Sequence, residues 1–349
     1  MRKKSSLISI ESVILFCLVL LSIISTFVLR SIEPALYPQY FIYLILAILT
    51  FVIFLKIDFE ILEAFSPHLY LISLFALLLP LLIGQVTRGS VRWIQIGSIT
   101  LQPSELVRPF LLLFFARYLT SKEISLIHLA KVFIFLFIPF LLILIQPSLG
   151  VAILTALGFL GVLIASEINK KYIFSSILIL LAIMPLVWFI LAPYQRQRIL
   201  TFIDPALDPQ GSGYNSIQSM ISIGSGKLFG RGLGRGVQTQ LDFLPEKHTD
   251  FIFAAISEEL GFVGSVLVST LLFIFFICLT VLIENARNNT ARAYVSGVFV
   301  ILLAETLVHI GMNVGLLPIT GVPLPIVSAG GSALIGTVMS VAISFNAKK

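Results

Sequence analysis

Long apolar runs separated by short polar intervals dominate the pattern of this 349-residue chain. A helix that crosses a membrane needs about 20 mostly apolar residues, and runs of roughly that length predict ten spanning helices. The predicted spans are 9–29, 38–55, 67–86, 105–120, 127–146, 149–166, 172–192, 250–283, 291–315 and 326–345. The pattern therefore predicts an all-α integral membrane protein in which residues 1–349 form a single membrane domain.

Composition supports the same class. Hydrophobic residues make up 58% of the chain, charged residues 11%, and the mean hydropathy is +1.05, which excludes a soluble globular protein. Cys17 and Cys278 each lie inside an apolar run, so we expect no disulfide. The net charge of +6 comes from basic residues spread between the apolar runs, which indicates membrane orientation and no nucleic-acid partner.

An even number of spans places both ends of the chain on one side of the membrane. Lys56, Arg117, Lys171 and Arg287 then share that side, which the positive-inside rule assigns to the cytoplasm. The long segment 193–249 lies on the other side and is predicted to be an ordered extracytoplasmic loop between the seventh and eighth helices. Its residues 214–223 have the pattern of a short interfacial amphipathic helix.

A second outer segment, SVRWIQIGSITLQPSEL at residues 90–106, is too polar to span the membrane. Its partial alternation predicts either a small hairpin or a re-entrant piece. Glu105 and Arg108 follow at i,i+3 spacing, so they can pair on one face of the next helix. We expect a buried ion pair there, which would shape the field of an outer cavity if the pair faces one.

Asp250 follows the long loop directly and precedes the apolar run FIFAAI. It is therefore expected near a helix N-terminus, where the macrodipole and the free amides favour a carboxylate. Two interpretations remain open. Asp250 caps the helix, or it is a base beside a phosphorylated ligand, because Glu246, Lys247 and His248 stand just before it.

Glutamates inside predicted spans are functional candidates, because an ionisable group at membrane depth is costly. Glu258 and Glu259 point to different faces of one helix, so they cannot both serve one site. Each is either functional or paired with Arg or Lys of another helix. Glu305 and His309, spaced i,i+4, are weaker candidates, and His309 is expected to be a packing residue because the histidines lack metal-ligand spacing.

The glycine-rich stretch GSGKLFGRGLGRG at residues 224–236 lacks the preceding strand and the Lys-Ser/Thr pair of a nucleotide-binding loop. Lys227, Arg231 and Arg235 suit a pyrophosphate, because glycines let a backbone approach oxyanions closely. The alternative is a basic loop that lies against anionic lipid headgroups.

Three stretches together resemble the SEDS family (shape, elongation, division, sporulation), and within it the RodA type more than the FtsW type. They are RWIQIGSITLQPSEL, GSGYNSIQSMISIGSGKLFGRGLGRGVQTQLDFLPEKHTDFIFAAISEELG and HIGMNVGLLPITGVPLPIVSAGGSALIG. The resemblance implies a ten-helix peptidoglycan glycosyltransferase in the bacterial inner membrane. Such an enzyme polymerises lipid II on the extracytoplasmic side, in contact with membrane lipids. Its implied partners are a class B penicillin-binding transpeptidase and the elongation machinery.

The resemblance also carries site residues and departures. It places the family's essential aspartate at Asp250 and its Pro-Ser-Glu acid at Glu105, with Arg108 where the family usually has Lys. The chain departs from the family pattern at three positions. They are Ser148 in place of Asp, Ala329 in place of Tyr and His309 in place of a common Asn.

Glycosyl transfer requires a base for the attacking hydroxyl and cations for the diphosphate leaving group. Asp250 is the predicted base. The predicted substrate-binding residues are Glu105, Arg108, Arg92, Arg196, Arg198, Lys227, Arg231, Arg235, Glu246, Lys247, His248 and Ser328. A divalent cation, Mg or Mn, would share the diphosphate charge, but no acidic cluster in the sequence indicates its site.

Two other functions remain open. A lipid flippase or transporter would use Glu258, Glu259 and Glu305 for proton coupling or to line a path. A scaffold without enzyme activity would only recruit the transpeptidase, and it would tolerate Asp250→Asn.

Overall fold

The computed structural model describes residues 9–87, 90–97, 99–121, 126–166, 170–191, 193–204, 208 and 211–348. Within these residues the fold is a helical bundle with one small antiparallel sheet. The helices are α1 (Ile10–Ile32), α2 (Tyr37–Leu55), α3 (Phe59–Ile83), α4 (Pro103–Leu106), α5 (Arg108–Thr120), α6 (Leu126–Ile145), α7 (Leu149–Ala165), α8 (Lys170–Ile190), α9 (Pro193–Ile203), α10 (Ser212–Ser225), α11 (Val237–Gln240), α12 (Ile252–Glu284), α13 (Asn289–Asn313) and α14 (Gly331–Asn346). A single 3₁₀ turn, Pro34–Leu36, joins α1 to α2.

The predicted fold class is confirmed, and each predicted span overlaps one of the longer helices. In the described part of the chain, five helical stretches are long and apolar enough to cross a membrane. They are Ile10–Ile32, Pro34–Leu55, Phe59–Ile83, Ile252–Glu284 and Asn289–Asn313. Ala130–Ile145, Leu149–Ala165 and Gly331–Asn346 are apolar but shorter, so the count of ten spans remains a prediction.

Glycines allow the central helices α7 and α13 to approach closely. A methyl group at Gly158 would lie 2.3 Å from Cδ1 of Ile301, and one at Gly297 would lie 2.7 Å from Cγ2 of Val162. Small residues at helix interfaces are a common route to association inside a membrane, where van der Waals packing replaces the hydrophobic effect. Around this pair, α5 packs on α13, α14 packs on α2, and α1 packs on α12.

One end of the bundle collects charged and polar contacts. Arg287 lies 3.4 Å from Glu60, and Arg117 donates to the carbonyl oxygen of Glu63 at 2.6 Å. Asn346 donates to the carbonyl oxygen of Phe54 at 2.8 Å. The positive-inside pattern predicts that Arg117 and Arg287 lie on the same side of the membrane, and in the structure they do share one end of the fold. The side of the membrane that this end faces remains a prediction.

The outer segment after α3 is a three-stranded antiparallel sheet, so the hairpin alternative is correct. Its strands are β1 (Gln85–Thr87), β2 (Ser90–Ile96) and β3 (Ile99–Leu101), in the order β1-β2-β3. The predicted third span reached residue 86, whereas α3 ends at Ile83. The Tyr43 hydroxyl donates to the carbonyl oxygen of Thr100 at 2.9 Å and accepts from its amide at 2.8 Å, which anchors the sheet to α2.

The long segment 193–249 contains α9, α10 and α11. The amphipathic helix predicted at 214–223 lies within α10. Ser219 of α10 donates to the carbonyl oxygen of Asn313 at 2.8 Å, so this helix is held against the end of α13.

Candidate active site

A cavity of about 1170 Å³ lies at the end of the bundle where α2 and α7 begin. This is the end opposite the charged one described above, because Phe54, near the other end of α2, accepts a hydrogen bond from Asn346 there. The polar part of the cavity wall comprises Gln39, Tyr40, Tyr43, Arg92, Thr100, Gln102, Glu105, Ser148, Gln195, Arg198, Glu246, His248, Thr249, Asp250 and Thr320. The apolar part includes Phe140, Leu149, Val151, Ile153, Ala156, Leu157, Leu160, Ile177, Leu181, Trp188 and Leu191. The cavity therefore offers both a charged compartment and an apolar one.

The backbone of Asp250 is held in a tight turn that leads into α12. The carbonyl oxygen of Glu246 accepts from the amides of Thr249 at 3.1 Å, Asp250 at 3.1 Å and Phe251 at 3.2 Å. Helix α12 begins at Ile252, immediately after this turn. The turn thus places the Asp250 residue at the cavity wall close to a helix N-terminus.

Asn313, at the end of α13, fixes the same turn from the other side. Its side-chain Nδ2 donates to the carbonyl oxygen of Asp250 at 3.0 Å, and its Oδ1 accepts from the amide of Ala254 at 3.0 Å. The residue is fully buried. Sequence reasoning did not select Asn313, although an amide side chain at the end of an apolar helix was a signal for it.

Gly321 lies close to both Asp250 and Arg198. A methyl group at Gly321 would lie 3.5 Å from Oδ2 of Asp250 and 3.8 Å from Nη1 of Arg198. The φ of Gly321 is +70°, a conformation that favours glycine. Arg198 also donates to the carbonyl oxygen of Ile319 at 3.4 Å. A guanidinium and the predicted base therefore lie beside the same glycine, a relation that the sequence did not reveal.

The cavity brings together six of the predicted site residues. They are Asp250, Glu246, His248, Glu105, Arg92 and Arg198. Arg92 comes from β2 and its guanidinium lies 5.8 Å from the ring centre of Trp93. Two arginines and several carboxylates on one wall can bind a ligand that carries both phosphate and sugar hydroxyl groups.

Ser328 lies behind the cavity wall. Its Oγ donates to the carbonyl oxygen of Thr249 at 2.9 Å and accepts from the amide of Leu324 at 2.8 Å. The next residue, Ala329, lines the cavity, and its amide donates to the carbonyl oxygen of His248 at 3.0 Å. The structure thus gives Ser328 a supporting position behind the turn that carries Asp250; its predicted contact with substrate remains a prediction.

Arg108 joins two buried carboxylates. It forms ion pairs with Glu105, at i,i+3 spacing, and with Glu305 of α13. All three residues are at most 6% exposed, and Glu105 also lines the cavity. The expected ion pair between Glu105 and Arg108 is present at the cavity wall. Arg108 also pairs with Glu305, which was a weaker candidate in the sequence.

The glycine-rich stretch 224–236 does not contribute its basic side chains to the described cavity wall. Its backbone runs along α12 instead. Arg231 donates its amide to the carbonyl oxygen of Glu258 at 2.9 Å, and Gly232 donates to that of Glu259 at 3.0 Å. In return, the amide of Phe262 donates to the carbonyl oxygen of Lys227 at 2.8 Å. Pyrophosphate binding by Lys227, Arg231 and Arg235 remains a prediction, and these residues do not line the cavity.

The carboxylates of Glu258 and Glu259 hold this stretch in place. Glu258 accepts from the amides of Gln238 at 2.9 Å and Thr239 at 3.0 Å. Glu259 accepts from the amide of Gly234 at 3.0 Å and from the Ser31 hydroxyl at 2.6 Å. Their partners in the described chain are thus loop and helix-end groups, and neither an Arg nor a Lys side chain.

Two further predicted residues, Lys247 and Arg196, are not among the residues that line the cavity. Lys247 is buried and forms an ion pair with Asp242, whose pKa is lowered by that hydrogen bond and charge. Arg196 donates to the carbonyl oxygen of Phe189 at 2.9 Å, and its guanidinium lies 5.9 Å from the ring centre of Trp188. Arg196, in α9, thus links the start of α9 to the end of α8.

Two departures from the family pattern, Ser148 and Ala329, line the cavity, and the third is buried beside it. His309 is fully buried, with its Nδ1 2.8 Å from the carbonyl oxygen of Val322. No group of three or more His, Cys, Asp or Glu side chains in the described part of the chain is arranged to hold a metal ion. The residues present therefore do not form a protein site for the predicted divalent cation, which remains a prediction and has no part in the chemistry below.

Residues 5–349 match a protein family described as cell cycle protein, FtsW/RodA/SpoVE. The chain is 40% identical over 288 residues to the peptidoglycan glycosyltransferase MrdB of Escherichia coli strain K12, covering 80% of this chain and 78% of that protein. It is 36% identical over 347 residues to a probable peptidoglycan glycosyltransferase FtsW of Buchnera aphidicola subsp. Baizongia pistaciae, covering 94% and 89%.

Two solved structures share the fold. One comes from work on structural coordination of polymerization and crosslinking by a peptidoglycan synthase complex, with 28% identity, a TM-score of 0.82 and 95% of each chain covered. The other is the Thermus thermophilus rod shape determining protein RodA, with 24% identity and a TM-score of 0.72, covering 95% of this chain and 94% of that one. The second likeness shows the fold alone.

Proposed function

Because this chain belongs to the FtsW/RodA/SpoVE family of cell cycle proteins, we propose that it is a peptidoglycan glycosyltransferase that joins lipid II disaccharides, with Asp250 as the general base. The relatives named as peptidoglycan glycosyltransferases support the activity. The observation that carries the proposal is the cavity that combines Asp250, Arg92 and Arg198 with an apolar compartment. A multi-pass bacterial membrane protein with such a cavity can work on a lipid-linked sugar.

Asp250 removes the proton from a hydroxyl of the acceptor sugar as that oxygen attacks the anomeric carbon of the donor. One carbon–oxygen bond forms while the bond between the anomeric carbon and the diphosphate breaks. The electron pair of the broken bond leaves with the diphosphate, and the proton stays on Asp250. The configuration at the anomeric carbon inverts, so no second nucleophilic side chain is required.

Arg198 and Arg92 offset the charge that develops on the departing diphosphate. Arg198 and Asp250 both lie beside Gly321, and Arg92 lines the same cavity. The apolar residues of α7 and α8 in the same cavity take the prenyl chain. Head and tail of a lipid-linked substrate thus each have a compartment of matching chemistry.

The flippase alternative is weaker because its proposed proton carriers are already engaged. Glu258 and Glu259 accept hydrogen bonds from the stretch 234–239 and Ser31, and Glu305 pairs with Arg108. A proton path would require these carboxylates to release their partners at each cycle. The scaffold alternative leaves a large cavity with charged walls unexplained.

The proposal includes a partner and an orientation. The solved peptidoglycan synthase complex with the same fold concerns polymerization and crosslinking, which supports a class B penicillin-binding transpeptidase as partner within the elongation machinery. The cavity lies at the end opposite Arg117 and Arg287, so the positive-inside rule puts it on the extracytoplasmic face. That face is where lipid II would be polymerised.

The test is polymerisation of lipid II by the purified full chain with its transpeptidase partner, followed by glycan gels. Asp250→Asn keeps the side-chain shape and removes the base. Asp242→Asn is the matched control, because that carboxylate is 81% exposed and pairs with Lys247 away from the cavity.

Polymer from the wild type and from Asp242→Asn, but not from Asp250→Asn, supports the proposal. Equal polymer from all three removes Asp250 as the base. Transbilayer movement of lipid II without polymer, measured in vesicles, favours the flippase. Absence of both activities together with normal recruitment of the transpeptidase favours the scaffold.

A further inference from the structure

Helix α12 is longer than one membrane crossing requires. It has 33 residues, whereas about 20 residues cross the hydrocarbon core of a bilayer. Its last residue, Glu284, lies at the charged end of the bundle, where Arg287 is 3.4 Å from Glu60. With Glu284 at one boundary of the core, about 20 residues counted back along the helix reach Ser265. The part of α12 before Ser265 therefore extends into the headgroup region at the end of the bundle that contains the cavity.

The glycine-rich stretch 224–236 packs on this part of α12. The amide of Gly232 donates to the carbonyl oxygen of Glu259 at 3.0 Å. The end of α1 lies at the same height, because the Ser31 hydroxyl donates to the Glu259 carboxylate at 2.6 Å. Helix α1 has 23 residues and Ser31 is its penultimate one, so α1 is close to one membrane thickness in length. Two helices thus place the stretch at the boundary between hydrocarbon and headgroups.

Six side chains of this stretch form an exposed surface, which we call the loop face. Its members are the basic residues Lys227, Arg231 and Arg235 and the apolar residues Leu228, Phe229 and Leu233. Phe229 is 82% exposed, more than any other large apolar side chain in the described part of the chain. Cations and apolar side chains are thus interleaved along one short segment, which is the composition of a surface that meets both headgroups and acyl chains.

The loop face carries a net positive charge. The acids behind it, Glu258 and Glu259, are fully buried, and their carboxylates accept from backbone amides of the stretch and of the residues after it. None of the three loop-face cations forms an ion pair with another residue that the structure describes. Arg231 donates from Nε to the Ser225 hydroxyl at 3.2 Å, which leaves its charge uncompensated. The three charges are therefore available to an anion outside the protein.

We propose that the loop face binds anionic phospholipids of the leaflet at the cavity end. Its cations contact the headgroup phosphates, and Phe229 and its apolar neighbours enter the upper part of the acyl chains. Basic clusters beside a bilayer attract anionic lipids, and apolar side chains on the same surface add to the binding. Under the proposed orientation this is the outer leaflet. Lipid binding of this kind does not depend on the proposed glycosyl transfer.

The apolar members of the loop face distinguish a lipid from a free anion. Inorganic pyrophosphate would contact the cations alone and would leave Phe229 in water. A phospholipid satisfies both parts of the surface, because its phosphate and its acyl chains lie next to each other at the height of the stretch. The combination of height, charge and apolar exposure therefore favours a lipid headgroup as the source of the phosphate.

Quenching by brominated lipids measures which lipid lies next to Phe229. The full chain with Phe229→Trp is placed in nanodiscs that contain equal amounts of anionic phosphatidylglycerol and zwitterionic phosphatidylcholine. In one set of discs only the phosphatidylglycerol is brominated, and in the other only the phosphatidylcholine, so the composition stays constant. Trp93 and Trp188, the chain's own tryptophans, line the cavity, and their signal from the unsubstituted chain is subtracted.

We expect brominated phosphatidylglycerol to quench at least about threefold more than brominated phosphatidylcholine, because each basic side chain near the surface adds attraction for anionic lipid. The triple variant Lys227→Gln, Arg231→Gln, Arg235→Gln should lower this ratio to about one. The matched control is Lys56→Gln, Lys131→Gln, Lys171→Gln. It removes the same charge from exposed lysines that the positive-inside pattern assigns to the opposite side, so it should keep the ratio.

Two further variants separate charge from folding and from packing. Lys227→Gln with Arg235→Gln keeps the bond between Arg231 and Ser225, and it should still lose most of the excess quenching. Arg231→Lys with Arg235→Lys keeps all the charge and should keep the ratio. Inorganic pyrophosphate, compared with sodium chloride at matched ionic strength, should leave the ratio unchanged.

A ratio of one in the Phe229→Trp chain overturns the proposal, as does an unchanged ratio in both Gln variants of the loop face. Loss of the ratio with pyrophosphate assigns the cations to a free anion and also overturns it. Absence of quenching by either lipid means that the loop face stands clear of the bilayer, as a protein-binding surface would. Polymer from the wild type with a ratio of one rejects only the lipid site, whereas a high ratio without any polymer rejects only the glycosyltransferase.

Discussion

The side chain of Asn313 donates to the backbone carbonyl oxygen of Asp250 at 3.0 Å, and the same side chain accepts from the amide of Ala254 at 3.0 Å. A third bond, to the carbonyl oxygen of His309 at 2.8 Å, ties the amide to its own helix. One buried side chain thus links the end of α13 to both sides of the entry into α12. The position of the predicted base depends on this link.

Asn313→Ala is expected to reduce the rate of lipid II polymerisation about tenfold to a hundredfold, because small displacements of a catalytic group have effects of that size. The loss of the amide also leaves buried backbone groups unsatisfied, at about 1–3 kcal/mol each. The rate is measured on glycan gels and the folding by thermal unfolding. Asn285→Ala is the control, because Asn285 only bonds within α12 to the carbonyl oxygen of Val281. A normal rate in Asn313→Ala would contradict the positioning role.

Glu258 is predicted to hold the glycine-rich stretch 224–236 and the residues after it against α12. Its two carboxylate oxygens accept from the amides of Gln238 and Thr239 at 2.9 and 3.0 Å. In Glu258→Gln one oxygen is replaced by an NH₂ group, which faces an N–H donor and cannot accept from it. Losing one charge-assisted bond should raise the rate of local opening about tenfold.

Limited trypsin digestion measures this opening, because cleavage at Lys227 and Arg231 requires the backbone to leave α12. Glu284→Gln, at the exposed far end of the same helix, is the control and should digest like the wild type. Unchanged cleavage in Glu258→Gln would show that the stretch is held mainly by its backbone bonds to α12.

The sequence predicted the helices well, because the thickness of a bilayer imposes one length on every apolar run. It predicted the ends less well. Pro67 and Pro80 lie inside α3, and α12 is kinked at Gly261, where a φ of +71° and a ψ of −166° interrupt the helix. Neighbouring helices tolerate such interruptions inside a membrane protein, and a single-sequence pattern does not contain those neighbours.

The candidate site was predicted in part. Asp250, Glu246 and His248 are close in sequence, so their common location followed from the chain itself. The partners of Glu258 are backbone amides, and backbone groups have no signature in a sequence. Arg198 and Gly321 are more than a hundred residues apart, so only the fold could bring them to the same carboxylate.

Arg108 is predicted to be essential for stability. Its guanidinium pairs with both Glu105 and Glu305, and all three groups are buried. Arg108→Met leaves two carboxylates without their shared counterion, and removing one partner of a buried ion pair typically costs about 3–5 kcal/mol. Thermal unfolding should show a large fall in the midpoint temperature.

The double variant Arg108→Met with Glu305→Gln separates charge from packing. Because it removes one of the two stranded carboxylates, we expect it to recover part of the lost stability relative to Arg108→Met alone. Arg108→Lys, which keeps the charge, should lose least. A double variant that is less stable than Arg108→Met would mean that shape, and not charge balance, dominates at this position.

Gly321→Ala is predicted to impair catalysis more than folding. The added methyl group lies 3.5 Å from Oδ2 of Asp250 and 3.8 Å from Nη1 of Arg198, which is ordinary contact distance, so no clash forces the backbone to move. The φ of +70° adds about 1–2 kcal/mol of strain for a residue with a Cβ.

Gly97→Ala is a matched control, because Gly97 has a φ of +63° and no atom within 4 Å of the position of an added methyl group. The two variants should therefore lose similar stability. Only Gly321→Ala should slow polymerisation, by about tenfold, because its methyl group lies in contact with both the base and the cation and would displace the sugar that Asp250 must deprotonate. Equal rates in the two variants would show that the reacting sugar does not approach Gly321.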